Sequence, residues 1–264
     1  MTPTDTCSTD FHCLDFIFHM TKDEIRQKVR ARLQLAGVAR FPGIAGRIPN
    51  FAGSDQAAQL LCELPMWKRA KVISVNCDAP QLAIRRAALR ENKVVYMAIP
   101  RLRSERCFVE LDPAKLGNKI LRVASIKGAM RFGRLVPPNE MRPVDLIVCG
   151  SVAVTRQGAR VGRGGGYCDL EYALLRTEGK VREYTPILTT VHALQIIEER
   201  LPMRGHDIPV DFVITPDQVI AAPSLHPRPR GVIWEILQES KILSIPVLRR
   251  GRRDVRGTPT PRRL

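Results

Sequence analysis

No apolar run in the sequence approaches the ~20 residues needed to span a bilayer. Phe16-Ile-Phe18 is short, has Asp15 directly before it, and lacks both a basic region ahead and a small-residue cleavage site, so it does not read as a signal peptide. Paired C-x-x-C cysteines are missing too. The seven that are present (Cys7, Cys13, Cys62, Cys77, Cys107, Cys149 and Cys168) are scattered, which argues against a zinc site and against a secreted disulfide framework. The expectation is a cytoplasmic protein with reduced thiols and no membrane partner. Aromatic residues are scarce at 5%, leaving few stacking platforms for single-stranded nucleic acid. Acidic residues are outnumbered, 26 against 42 Lys and Arg, giving a net charge of +16. Such a chain attracts phosphates, whether on nucleotides, nucleic acids or anionic lipids.

What is there describes an ordinary globular protein, with 44% apolar and 26% charged residues among 264. Residues 1–19 have no periodicity and read as a disordered or upstream extension. Residues 20–248 read as one α/β domain. Residues 249–264 carry Gly and Pro among seven arginines, from Arg249 to Arg263, and read as a disordered basic tail able to bind RNA.

Within the domain, Thr21 and Glu24 form a capping box ahead of a helix. Ile25, Val29 and Leu33 are its buried stripe, Lys22, Arg26 and Arg30 run as a parallel basic stripe, and Gly37 is its stop. A Gly/Pro-rich loop from Phe41 to Gly53 precedes a second helix, capped by Ser54 and running to Glu63. Lys71–Val75 and Lys93–Ile99 read as strands around a helix that starts near Pro80, a βαβ unit with parallel strands. Residues 101–143 carry no clear pattern. Asp145–Cys149 is a further strand, extended past Gly150 by Val152–Val154. Tyr167–Arg176 is a helix, Pro186–Val191 and Val210–Ile214 are strands, Val232–Gln238 is helical, and Ile245–Leu248 is a last short strand. The alternation predicts a three-layer, doubly wound, mostly parallel sheet with helices on both faces, whose ligands bind beyond the carboxyl ends of the strands.

Arg160-Val-Gly-Arg-Gly-Gly-Gly-Tyr-Cys-Asp169 is the most informative stretch. Gly162, Gly164, Gly165 and Gly166 let backbone N–H groups converge on an anion, and the helix that follows adds its positive end. Arg160 and Arg163 supply permanent charge for phosphate oxygens. Asp169 could hold a magnesium ion bridging those oxygens. A P-loop would need Gly-Lys-Ser/Thr here, and a dinucleotide fingerprint would need glycine where Tyr167 stands. Neither is present.

The stretch resembles the R-x-G-x-G-x-G-Y-[YF]-D signature of the 5-formyltetrahydrofolate cyclo-ligases, with Cys168 in place of the second aromatic. Lys22 and Arg26 match that family's amino-terminal K-x-x-x-R helix, and Gly205-His-Asp207 with Asp211 and Thr215 is similar to its late segment. Arg47–Phe51, Pro100–Leu102, Gly150–Val154 and Asp169–Ala173 are similar to a divergent branch, the methenyltetrahydrofolate synthase domain-containing proteins. The resemblance implies an ATP-driven closure of a folate-like substrate. Lys22, Arg26, Arg160, Gly162, Arg163, Gly164, Gly165, Gly166 and Tyr167 would hold ATP, with Arg160 and Arg163 catalytic. Asp169 and Asp207 would hold Mg2+, and Tyr167 and Asp78 would touch substrate. Asp78 stands where the family uses a glutamate, and a loop acid after a strand is its other reading. A non-catalytic nucleotide- or RNA-binding protein on the same fold is the alternative function.

Overall fold

In a computed structural model of the chain, residues 20–223 and 226–257 are described. Helices α1 (Lys22–Leu35), α2 (Ser54–Glu63) and α3 (Pro65–Arg69) lead into the unit β1 (Val72–Val75), α4 (Leu82–Arg90), β2 (Val94–Ala98). The stretch without a clear pattern folds into β3 (Phe108–Leu111), the short helices α5 (Pro113–Leu116), α6 (Ile120–Val123) and α7 (Ile126–Phe132), and β4 (Arg134–Val136). Then come β5 (Leu146–Cys149), a ribbon of β6 (Ala153–Val154) and β7 (Arg160–Val161), and α8 (Tyr167–Thr177). β8 (Ile187–Thr190), β9 (Phe212–Ile214), β10 (Val219–Ala221), α9 (Glu239–Ser244) and α10 (Pro246–Gly257) complete the described chain.

The main sheet has the order β10-β9-β8-β5-β1-β2-β3-β4. Its inner strands β9, β8, β5, β1 and β2 are parallel, and antiparallel pairs finish both edges. With its helices it makes the expected three-layer α/β arrangement. Parallel strands buried on both faces must be apolar throughout. Val94–Ala98 and Leu146–Cys149 are buried at every position. From β1 the chain crosses to β2 on one side, while β5 pairs with the other side of β1. The connections leaving β1 and β5 therefore diverge and open a crevice at the strands' carboxyl ends.

A second, smaller core fixes α1 over that crevice. Ile25, Val29 and Leu33 are buried as their spacing predicts, against Ile48, Val152, Ala153, Ala159, Val161, Ile197 and Leu201. Burying each such side chain contributes about 1.5–3 kcal/mol. The capping box at Thr21 and Glu24 is formed, and Gly37 follows the helix with φ +66°. We expect Thr21→Ala to cost about 1 kcal/mol, measured as a shift in urea midpoint. An unchanged midpoint would mean that packing alone sets where α1 starts.

The carboxyl-terminal expectations need correction. Ile245–Leu248 is not a strand, and Val232–Gln238 holds only a single 3-10 turn, Trp234–Ile236. Val152–Val154 does not extend β5 but enters the separate ribbon. The basic tail is helical as far as residue 257; its remainder and residues 1–19 lie outside the described residues. Pro246 opens α10 where its missing N–H costs nothing, and Ile245 and Leu248 are buried in the main core. Arg250 and Arg252 pair with Glu105 and Glu239. Gly251, which composition alone makes a breaker, lies against Trp234: a Cβ there would be 3.3 Å from Cη2 of the indole.

Candidate active site

The glycine loop joins β7 to α8 directly above the crevice. Gly164 and Gly166 have φ of +117° and +61°, and Gly166 is the left-handed residue that starts α8. Only glycine takes those angles without strain. Two side chains from distant parts of the chain hold the loop's carbonyls. Arg26 Nε donates to Gly162 O at 2.7 Å, and Lys241 Nζ donates to Gly165 O at 2.8 Å. With both carbonyls turned to these partners, the amino end of the 11-residue α8 is left to face the cleft.

That cleft, of about 530 Å3, brings together Lys22, Arg26, Arg160, Gly162, Gly164, Gly166, Asp169 and Asp207, with Arg204 and His206 added. Most of its charges are already paired. Lys22 Nζ lies 2.5 Å from Asp207 Oδ2, which also accepts the Arg204 backbone N–H at 2.6 Å. Burial would raise the Asp207 pKa, but those two donors outweigh it and leave it lowered. Arg160 is only 3% exposed and donates to Asp169 Oδ1, which accepts the Ile208 N–H at 3.1 Å as well. Burial pulls the Arg160 pKa down, and the nearby negative charges, that of Asp169 first, more than reverse it, so the guanidinium stays charged. Its Nε is buried with no partner among the described residues.

Arg163, Tyr167 and Asp78 do not line this cleft. They line an adjoining small pocket with Ile48, Gly150 and Glu171. Gly165 lines a third hollow, which shares Gly164, Gly166 and Asp169 with the cleft.

The small pocket sits at the sheet's switch point. Asn76, just after β1, donates to Glu171 Oε2 at 2.8 Å and accepts the Gly150 N–H at 2.9 Å, tying the ends of β1 and β5 to α8. Arg85, buried on α4, donates to the backbone carbonyls of Asn76 and Asp78 and fixes the loop beneath. Gly150 is required: a Cβ there would lie 2.9 Å from Ile48 Cγ1 and 3.2 Å from Asp78 Oδ2. Burial raises the Glu171 pKa to about 8, reinforced by the Asp78 and Asp169 charges and opposed by Arg163 and Arg160. Burial also raises Asp78, opposed by Arg163 and Arg85. Two carboxyl groups thus line one pocket together with the Arg163 guanidinium.

Glu171 is the residue that sequence reasoning missed. It lies one turn after Tyr167, so the two share a helix face, and a carboxyl on the face of a ligand-facing tyrosine was the available signal. Asn76, Arg204 and Lys241 carried none.

A proton held by Glu171 in the folded state and released in the unfolded chain makes stability depend on pH. The folded state binds more protons between about pH 4.5 and about 8, so stability falls as pH rises through that window. We expect Glu171→Gln, which copies the protonated shape, to flatten this decline and to be the more stable form at pH 9. Parallel stability–pH curves for the two proteins would remove the assignment.

Among the described residues no three His, Cys, Asp or Glu side chains converge on a metal position. Asp169 and Asp207 do line one cleft, and Mg2+ needs only one or two carboxylates when phosphates supply other ligands. No helix of the described residues is long and apolar enough to cross a membrane.

Sheet order, glycine loop and basic α1 define a class, and residues 19–216 match the model of the 5-formyltetrahydrofolate cyclo-ligase family; the chain belongs to that family. Among its relatives, the methenyltetrahydrofolate synthase domain-containing protein of Danio rerio is 38% identical over 87% of this chain and 61% of its own length. Its Homo sapiens counterpart is 35% identical over the same shares. The chain thus spans about three-fifths of these relatives. A solved structure, Aquifex aeolicus 5,10-methenyltetrahydrofolate synthetase, shares the fold with a TM-score of 0.50 at 23% identity, covering 83% of this chain and all of that one.

Proposed function

We propose that the chain is an ATP- and magnesium-dependent cyclo-ligase that converts 5-formyltetrahydrofolate to 5,10-methenyltetrahydrofolate. The observation that carries this is a shared wall: Arg160, Gly162, Gly166 and Asp169 line both the wide cleft and the small pocket. A terminal phosphate lying on the loop is then next to a group held in the pocket, the arrangement that phosphoryl transfer needs. The pocket encloses about 40 Å3, where about 10–15 Å3 on the same measure admits one water, so it is room for a few atoms only. It suits a formyl-sized group, with the rest of a folate-like substrate outside.

In this reaction the formyl oxygen takes the terminal phosphoryl group and ADP leaves. The second folate nitrogen then attacks the activated carbon, the carbon–oxygen bond to phosphate breaks, and the nitrogen's proton is lost. Lys22, Arg26 and the loop N–H groups bind the phosphates, and the unpartnered Arg160 Nε is a further donor for them. Arg163 balances negative charge where the two substrates meet. Glu171, protonated at neutral pH, can donate to an oxygen in the pocket, and Asp78 can accept the departing proton. Asp169 and Asp207 would hold the magnesium ion, which supplies charge neutralisation at the phosphates.

The test is the absorbance of methenyl product from 5-formyltetrahydrofolate, ATP and Mg2+. No product from a folded protein that binds ATP would overturn the cyclo-ligase assignment. The exposed arginines 249, 250 and 253 of α10 favour a second reading, a nucleotide- or RNA-binding protein on the cyclo-ligase fold, which predicts salt-sensitive RNA binding without product.

A further inference from the structure

Residues 231–241 lie beyond the matched stretch 19–216, yet they close over the glycine loop. Val232 N–H donates to Thr177 Oγ1 at 3.0 Å at one end of α8, and Lys241 reaches Gly165 O at the other. Between these two ties the segment faces a hollow of about 310 Å3 whose other wall is the loop and the first turns of α8. Val232, Trp234 and Leu237 pack on the main core. Ile233 and Ile236 do not; both line the hollow, and Ile236 is 51% exposed. Apolar side chains lining a concave hollow beside a few polar groups are the usual wall of a small-ligand site.

Which occupant follows from what the hollow adjoins. Gly166 and Asp169 line all three spaces, but the hollow shares Gly164, Arg204 and His206 with the phosphate cleft alone, and the cleft shares Arg160 and Gly162 with the small pocket alone. The order along the surface is apolar hollow, cationic cleft, reacting pocket. A nucleoside triphosphate has the same order: a flat, largely apolar base with its sugar, a phosphate chain, and the phosphoryl group that is transferred. A size near 300 Å3 with apolar walls and a few polar groups is that of a small-ligand site. The geometry points to this hollow as the seat of the nucleoside's base and ribose, with Ile233 and Ile236 as its wall. Resting on the nucleotide site proposed above, this gives the bound molecule a direction, and makes a segment outside the family's matched residues part of the binding site.

The test compares calorimetric binding of ATP and of inorganic tripolyphosphate, each with Mg2+, to the full chain and to Ile233→Ser and Ile236→Ser. Half-exposed Ile236 can be replaced without unfolding the chain, and thermal melting of both variants checks it. The wild type should prefer ATP by tenfold or more. Each substitution should weaken ATP by about tenfold and leave tripolyphosphate unchanged, shrinking the preference. Equal binding of the two ligands by the wild type, or an unchanged preference in both variants, overturns the assignment. If methenyl product forms while the preference is unchanged, the cyclo-ligase stands and the nucleoside seat falls. If the preference shrinks although no product forms, the seat stands and the cyclo-ligase falls. Failure of both ligands to bind overturns both.

Discussion

Asp169→Ala should cost about 3–5 kcal/mol of stability, the loss expected when one member of a buried ion pair is removed. Arg160 is the group that suffers. Its side chain is 2% exposed, and Asp169 at 14% is its ion-pair partner. Without the carboxylate, a permanent charge stays buried, and the Ile208 N–H loses its acceptor. Asp169→Asn keeps the shape and a hydrogen-bonding oxygen, so its cost should fall between that of alanine and zero. Urea unfolding measures both, and a cost for Asp169→Ala below about 1 kcal/mol, the range of surface changes, would mean that Arg160 finds other partners. The same pair decides the metal question. If Asp169 also reaches magnesium through the phosphates, Asp169→Asn raises the Mg2+ concentration needed for ATP binding. Superimposable magnesium titrations for the two proteins would leave Asp169 a structural partner of Arg160 alone.

Arg163→Ala should lower turnover by about 10²–10³, the loss typical of a preorganised group that stabilises charge as it develops. Stability should hardly change, because Arg163 is exposed and sits at the mouth of the small pocket rather than beneath the loop. The two arginines of the signature thus separate: Arg160 is built into the floor, and Arg163 is set against Asp78 and Glu171. Removing Arg163 also takes away the cation that opposes the upward pull on both carboxyls, so both should hold protons to higher pH. Single-turnover rates with saturating ATP check the first effect, and the pH profile of the remaining activity checks the second. An undiminished rate would place phosphoryl transfer elsewhere on the loop.

Much of this site was readable because local chemistry and global fold ask for the same residues. The capping box, the 25-29-33 stripe, the apolar strands and the glycine loop each announce themselves by spacing alone, and together they place α1 over the loop. What escaped were residues whose role depends on contacts between distant segments. Asn76 reads as a strand-end polar residue until Gly150 and Glu171 are seen beside it. Lys241 belongs to a segment of weak pattern, and nothing in its neighbours says that it reaches Gly165. Residues 101–143 were opaque for a different reason. Their strands, β3 and β4, are short antiparallel strands at one side of the sheet, separated by three helices of four to seven residues, too brief for any period to emerge. The charge-rich carboxyl-terminal stretch misled because composition counts arginines and glycine as solvating and flexible. Glu105, Glu239 and Trp234 turn the same residues into a packed helix.

The tie from Lys241 to the glycine loop also has a meaning in time. The two residues are 76 positions apart, so at about 5–20 residues per second of synthesis the loop exists for roughly 4–15 s before its latch has been made. Throughout that interval Gly165 lacks its cation and Tyr167 has no ammonium 5.3 Å above its ring, while Arg26, made long before, is already available to Gly162. A nascent chain therefore has only one of the loop's two side-chain partners. On the nucleotide site proposed above, the loop that would hold the phosphates is complete only once the last helices have been made.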